Sequence, residues 1–433
     1  MMVIVALAAT SCLLFIPDGD RSDPIPMDAG PLPTSTERPA APLSPSRASP
    51  GDKWSLWTGG TQLRGANVYQ RRVFPEMDGT EFYGPGPFGP PYTQDDFDRL
   101  ASLGANYVNI STAGLYTIEP PYAVDEEAVA ALDRLLEMAA AADMFAVITF
   151  RTGPGRSEFA IIGDETWPPE EYVVNAVWTD GAARAAWAEM WRFAAARYRD
   201  NPVVAGYDLM CEPNSNAILD LWDPQAFYDE YSGTGYDWNS WYPDIVSAIR
   251  AEDSSTPILV GGNSYSAVEW LPYLQTVDDP RVVYAVHQYA PHAYTHPAEV
   301  DPARSYPGVF DLDDDGEPEN FDGAWLEDLL AAADEFSRRH GVPVAVNEFG
   351  AERWTPGAAE FVRDEMDLFE RHGWNYAVWQ WQPAWPPLAE GDNSFNFRFG
   401  PDPAGLADAD NDLFSAYLAA WSRNLLRPSN FRN

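Results

Sequence analysis

The chain has 433 residues, 45% of them hydrophobic and 14% aromatic, enough apolar material for one large core or two average ones. Its 66 acidic against 27 basic residues give a formal charge of −39, which excludes nucleic acid and anionic membrane surfaces as partners, since both are recognised by clustered Lys and Arg. A neutral polysaccharide is indifferent to that charge, and the 17 Trp and 21 Tyr exceed what a core needs, so some are expected to stack against sugar rings in a cleft.

Residues 1–16 are almost wholly apolar. They are too few to span a bilayer as a helix and read as the core of an export signal that lacks a basic leading region. The run Ala9-Thr10-Ser11-Cys12 resembles a bacterial lipoprotein cleavage site, with Ala9 where Leu is usual, which makes Cys12 a candidate lipid anchor. The other cysteine is Cys211, so no disulfide is expected in the mature domain. Residues 17–53 are rich in Pro, Ser, Asp and Ala, and such a segment cannot bury enough surface to offset its ordering entropy. The expected organisation is a signal over 1–16, a disordered linker over 17–53 and one domain over 54–433. That domain is expected to be monomeric, exported to the medium or the cell surface, and without an integral membrane span.

From Trp54 onward short apolar runs alternate with amphipathic stretches, the pattern of parallel strand–helix units. Strands are expected at Leu63–Val68, Tyr107–Ile110, Phe145–Phe150, Val203–Met210, Ile258–Gly261, Val283–His287, Val344–Asn347 and Tyr376–Trp381. Helices are expected at Thr93–Leu103, Asp125–Ala142, Gly181–Tyr198, Trp238–Ala251, Ala267–Leu274, Ala324–His340, Gly357–His372 and Asp412–Leu426. Such a series closes into an α/β (β/α)8 barrel; a doubly wound open sheet is disfavoured because no Gly-rich phosphate loop follows the first strand.

In such barrels chemistry gathers at the C-terminal ends of the strands. There the fourth strand runs into Cys211-Glu212-Pro213-Asn214, the sixth into His287-Gln288-Tyr289, the seventh into Asn347-Glu348-Phe349-Gly350 and the eighth into Trp379-Gln380-Trp381-Gln382. Glycoside hydrolysis needs one carboxylic acid and one carboxylate flanking the scissile bond, and Glu212 and Glu348 are the pair so placed.

These segments, with Arg64-Gly65-Ala66-Asn67 on the first strand and Tyr294-Thr295-His296 after the sixth, resemble glycoside hydrolase family 5, the cellulase-like retaining glycosidases. The resemblance spans Leu63 to Trp385 and is specific for the family or its clan, not for the substrate. It implies Glu212 as general acid/base and Glu348 as nucleophile, His287 and Tyr289 holding them in place, and Trp379 or Trp381 beneath the sugar. Asn67, Asn109, Arg151, Asn214 and Trp178 complete the expected substrate-binding set. Three positions depart from the family pattern. Cys211 stands where Asn usually bonds the sugar 2-hydroxyl, Asn109 near the place of an expected Arg, and Arg151 near that of an expected His. Arg151 is therefore expected to supply the charge that keeps Glu348 ionised, and Asn214 to bond the sugar in place of Cys211. The stretch Phe74–Tyr92 and the loop holding Trp167 and Trp178 are expected to wall the cleft.

No cofactor is expected for catalysis. A structural Ca2+ is expected in the run beginning Asp311-Leu312-Asp313-Asp314-Asp315-Gly316, where Asp311, Asp313, Asp315, Glu317, Glu319 and Asp322 follow the spacing of a calcium loop. The substrate class is neutral β-glucan, β-mannan or a smaller β-glycoside. The rival readings are a barrel that binds glycans without cleaving them and a calcium-dependent surface adhesion protein. The first turns on the separation of the two carboxyls, and the second is disfavoured by a single complete barrel without repeats. A metal hydrolase is disfavoured because His287, His292 and His296 cluster without an accompanying carboxylate motif.

Overall fold

The computed structural model describes residues 51–158, 168, 170–297, 300–312, 316–391 and 393–431. The expected signal, Cys12, most of the expected linker, Trp167, Asp313 and Asp315 lie outside the described residues. Asp52, at the end of the span expected to be linker, is already docked: its carboxylate pairs with Arg281 at 2.6 Å, and Lys53 Nζ donates to the Asn201 carbonyl at 2.9 Å.

Eight parallel strands form the barrel: β1 Arg64–Arg72, β2 Tyr107–Thr112, β3 Phe145–Phe150, β4 Val204–Asp208, β5 Ile258–Gly261, β6 Val282–Gln288, β7 Val344–Phe349 and β8 Asn375–Val378. They pair in chain order, and β8 closes on β1 with Arg64 opposite Tyr376 and Ala66 opposite Val378. The fold is a TIM barrel in a single domain. Along β3 the alternation is clean: Phe145 and Val147 face the barrel axis, while Ala146, Ile148 and Phe150 pack on the helices. The strands are buried on both faces, which explains their nearly unbroken apolar character.

The helical layer follows the expected order. The long helices are α1 Gln94–Ser102, α2 Glu126–Ala141, α3 Gly181–Tyr198, α4 Tyr242–Arg250, α5 Gly323–His340, α6 Ala358–His372 and α7 Asp412–Trp421. Asp125, Asp180, Asp322 and Asn411 cap α2, α3, α5 and α7 by accepting from backbone N–H groups of the first turn. Two expected helices differ. The span expected from Trp238 to Ala251 breaks at Trp241 into a 3-10 turn and α4, with Pro243 in the first turn of α4, where its missing N–H costs nothing. The expected Ala267–Leu274 helix is a 3-10 run, Val268–Tyr273, with Pro272 inside it. A short helix, Ser55–Thr58, carries Leu56 and Trp57 beneath the N-terminal end of the barrel, where Trp57 Nε1 donates to the Ala205 carbonyl at 3.0 Å. No helix among the described residues is long and apolar enough to cross a membrane.

Two irregularities interrupt the barrel's register, and the second shapes the C-terminal mouth. The register of β3 against β4 shifts after Ala146, and that of β7 against both neighbours shifts after Val346. Strand alternation turns Val344 and Val346 toward the helices and would send residue 348 the same way. The irregularity instead turns both Asn347 and Glu348 inward, the re-aiming that bulges produce.

Candidate active site

Glu212 and Glu348 meet at the mouth of the barrel. One oxygen of each and a ring nitrogen of His287 all lie within 4.8 Å of one another, and the three residues are buried. His287 Nδ1 is 3.0 Å from Glu212 Oε1 and 3.6 Å from Glu348 Oε2. The Tyr289 hydroxyl donates to Glu348 Oε2 at 3.2 Å. Arg151 spans the pair, with Nη2 3.3 Å from Glu212 Oε2 and Nη1 3.5 Å from Glu348 Oε1. The trio is the one group with metal-ligand spacing among the described residues, but the Arg151 guanidinium already supplies positive charge beside both carboxylates, so the donor set does not favour a cation.

Glu212 sits at φ +58°, a conformation that non-glycine residues rarely adopt and that must be held by its surroundings. Arg156 holds it. Its Nη1 donates to the carbonyls of Arg151 at 2.7 Å and Cys211 at 2.8 Å, and its Nη2 to that of Glu212 at 2.8 Å. Arg156 in turn is placed by the tight turn at Gly155, where φ is +70° and an added Cβ would lie 2.7 Å from Ala183. Neither Arg156 nor its neighbour Glu158 was an expected site residue. The signal was present, since both fall within eight residues of a strand's C-terminal end, but nothing periodic marks a loop.

Burial pushes both glutamates toward the neutral form. For Glu212 the His287 hydrogen bond and the charges of Arg151, His287 and Arg156 outweigh burial and hold its carboxyl below the usual range. Glu348 stays above it, because burial and the neighbouring Glu212 outweigh His287, Arg151 and Tyr289. Two carboxylates this close in a buried site share protons rather than ionise independently. The His287 ring is itself raised: burial opposes its charge, but Glu348, Glu212 and Asp208 favour it.

Beneath the glutamates runs a closed ring of buried polar side chains. Asn67 Nδ2 donates to the Asn347 carbonyl at 2.8 Å, and Asn109 Nδ2 to Asn67 Oδ1 at 2.8 Å. Thr149 Oγ1 donates to Asn109 Oδ1 at 2.7 Å and lies 3.3 Å from Asp208 Oδ2, which accepts from Asn347 Nδ2 at 2.9 Å. The ring grips the bulged residue just before Glu348. Burial raises the Asp208 carboxyl to about 7, against the pull of His287.

The ring corrects two expectations. Asn67 and Asn109 are fully engaged with protein groups below the mouth, so they position the seventh strand instead of meeting substrate. Trp178 is also corrected: it is buried in the helical layer against Trp238 and Trp241, at ring-centroid distances of 6.5 and 5.6 Å. Trp381 and Trp379 separate. β8 ends at Val378, and Trp381 leaves the barrel axis for the helices, its Nε1 donating to the Asp96 carbonyl at 3.0 Å and its ring under Arg398. Trp379 stays at the mouth with Tyr69, the two rings 5.4 Å apart and both facing the Arg151 guanidinium.

Cys211 lies in the same cluster, Sγ 3.6 Å from Glu348 Oε1 and 3.2 Å from Arg151 Nη1, and burial pushes its thiol well up. Asn214 is buried beside the mouth, and its Oδ1 has no hydrogen-bond partner among the described residues. A two-stranded hairpin, Gly308–Phe310 with Glu319–Phe321, flanks the described residues of the acidic run. There Asp311 Oδ2 accepts from the Gly316 N–H at 2.8 Å and Glu319 Oε2 from the Leu312 N–H at 2.9 Å. Asp322 is the cap of α5.

Comparison with known proteins agrees with this geometry. A model of the cellulase family, glycosyl hydrolase family 5, matches residues 66–384. Endoglucanase C of Acetivibrio thermocellus is 24% identical over 210 residues, 47% of this chain and 52% of that protein; the chain thus spans about half the length of this curated relative. The endoglucanase Cel5A of Thermotoga maritima superposes with a TM-score of 0.58 at 17% identity, over 84% of this chain and 99% of that one. The same enzyme solved with mannotriose gives 0.56 at 17%, over 85% and 100%. At these identities the superpositions speak to fold.

Proposed function

Because the chain belongs to glycoside hydrolase family 5, we propose that it is a retaining hydrolase of β-linked glucan, mannan or related oligosaccharides, with Glu348 as nucleophile and Glu212 as acid and then base. The observation that carries the reading is the approach of Glu212 and Glu348 within 4.8 Å in one buried site. Retaining enzymes hold their carboxyls about 5–5.5 Å apart, whereas inverting ones leave about 6.5–9.5 Å for a water.

In the first step a Glu348 oxygen bonds to the anomeric carbon while the glycosidic oxygen departs with the proton of Glu212. In the second, water attacks that carbon, gives a proton to Glu212 and releases Glu348. Tyr289 and Arg151 contact Glu348 and stabilise its charged form before attack and after release. Burial and the neighbouring Glu212 hold the Glu348 carboxyl above its usual range, while His287, Arg151 and Arg156 hold that of Glu212 below it. His287 Nδ1 lies within 3.6 Å of both and orients them. Trp379 and Tyr69 supply the aromatic wall.

Incubating the chain and its Glu348→Ala variant with soluble glucans, mannans and aryl β-glycosides tests the reading. Hydrolysis by the parent with retention at the anomeric centre, and silence in the variant, is the expected result. Inversion, or equal activity in both proteins, would remove Glu348 as nucleophile.

A further inference from the structure

A third carboxylate shares the site without a part in the double displacement. Glu158 Oε1 accepts from Arg151 Nε at 3.1 Å and from the Tyr69 hydroxyl at 2.8 Å. Through Arg151, whose other nitrogens reach Glu212 and Glu348, Glu158 is one side chain away from both reacting groups. Its side chain is only 8% exposed. Yet the second oxygen, Oε2, is enclosed and has no hydrogen-bond partner among the described residues. An enclosed carboxylate oxygen without a donor is costly, so its persistence beside a reaction centre calls for a donor that arrives with the ligand. Sugars are dense in hydroxyl donors, and a hydroxyl-to-carboxylate bond is of the strong, charge-assisted kind.

We propose that Glu158 is a specificity-determining residue, its Oε2 accepting a hydrogen bond from one hydroxyl of the sugar held against Glu348. This rests on the glycosidase reading above and adds to it. A site built around such a bond rejects the sugar that lacks the hydroxyl, because the oxygen is then left unpaired. Arg151 and Tyr69 hold Oε1 and fix the direction of the carboxylate, so the discrimination is geometric as well as electrostatic.

The competing account is that Glu158 only tethers Arg151. The two separate on a substrate series in the full chain: 4-nitrophenyl β-cellobioside and β-mannobioside, each with counterparts deoxygenated at C2, C3 or C6 of the sugar bearing the nitrophenyl group. Glu158→Gln keeps an oxygen for Arg151 but replaces the free oxygen with a donor; Glu158→Ala removes both, and thermal melting checks that each variant is folded. On the favoured sugar we expect both variants to lose at least about tenfold in kcat/KM, and on one deoxy counterpart less than about twofold. A loss by the same factor on every member of the series would overturn the proposal and leave Glu158 as a tether. A parent that cleaves none of these nor any of the polysaccharides overturns the glycosidase reading and this one together; an active parent with unaltered Glu158 variants overturns this one alone.

Discussion

The two halves of the barrel interior are built on the same strands and have opposite characters. Toward the N-terminal end, Leu63, Phe145, Val147, Leu259, Val283 and Ala345 close against Leu56 and Trp57 in one apolar cluster. Toward the C-terminal end, Asn67, Asn109, Thr149, Asp208 and Asn347 take over, and above them stand Arg151, Glu212, His287 and Glu348, all of them buried. The lower half stabilises by removing apolar surface from water. The upper half takes charge out of water and must compensate it internally. Mutations in the upper half should therefore be read in activity and pH dependence, and those in the lower half in stability.

The largest effect expected from breaking this division is Glu348→Ala. By the proposed mechanism kcat falls by roughly 10³-fold or more, as when other covalent nucleophiles are removed. The melting temperature should hold or rise, because one of two mutually repelling buried carboxylates is gone. A variant that lost activity only by melting early would place Glu348 in the structural half. Next comes Arg151→Met. Removing one partner from a buried ion pair costs about 3–5 kcal/mol, and here three carboxylates, Glu158, Glu212 and Glu348, lose the same cation. Arg151 lowers the pKa of Glu212 and of Glu348, so its loss should also carry the acid limb of the kcat/KM profile to higher pH. An unmoved limb would show that Arg151 does not set their ionisation.

Leu259→Ala tests the lower half. Burial at this site predicts a loss of about 2–5 kcal/mol in unfolding free energy, with kcat/KM unchanged at temperatures where the variant is still folded. A catalytic defect in the folded variant would mean that the halves are mechanically coupled through β5, whose Leu259 Cδ1 fills the space where a Cβ on Gly206 would fall.

The halves also differed in how far they could be read from residues alone. The eight strands and the pair Glu212 and Glu348 were legible because apolar runs of strand length end in groups able to do chemistry. The polar ring was not. Asn67 and Asn109 have the residue type of a sugar ligand, and only the closure of the barrel, with the shift after Val346, shows that they bond to Asn347 and to each other. The aromatics failed for a related reason: Trp178 and Trp381 are apolar and polar at once, and composition does not say whether the indole will face the mouth or the helices. Counting by twos past Val346 would also have turned Glu348 outward. Its identification came from strand position and motif, not from periodicity.

Asp208 probes the upper half by pH. Its folded pKa, raised to about 7, lies above the unfolded carboxylate value of about 3.9. The stability it contributes is therefore full below about pH 4 and lost as pH rises through about 7. Asp208→Asn cannot ionise, so its melting temperature relative to the parent should climb steadily between these limits. A relative melting temperature that falls with rising pH would show Asp208 to be a stabilising anion.

The smallest effect lies outside the barrel, at Asp322, and it separates two uses of one carboxylate. Asp322 Oδ1 accepts from the N–H groups of Ala324 at 2.9 Å and Trp325 at 3.2 Å, so Asp322→Ala should cost about 1 kcal/mol, the usual value of an N-cap. If capping is its whole role, that loss is the same in excess Ca2+ and in chelator. A calcium ligand behaves otherwise: the parent would gain stability with added Ca2+ as the ion binds the folded form, and the variant would gain less. Thermal melts of both proteins at matched ionic strength decide between the two. With Oδ1 already spent on two backbone donors, the cap predicts parallel curves.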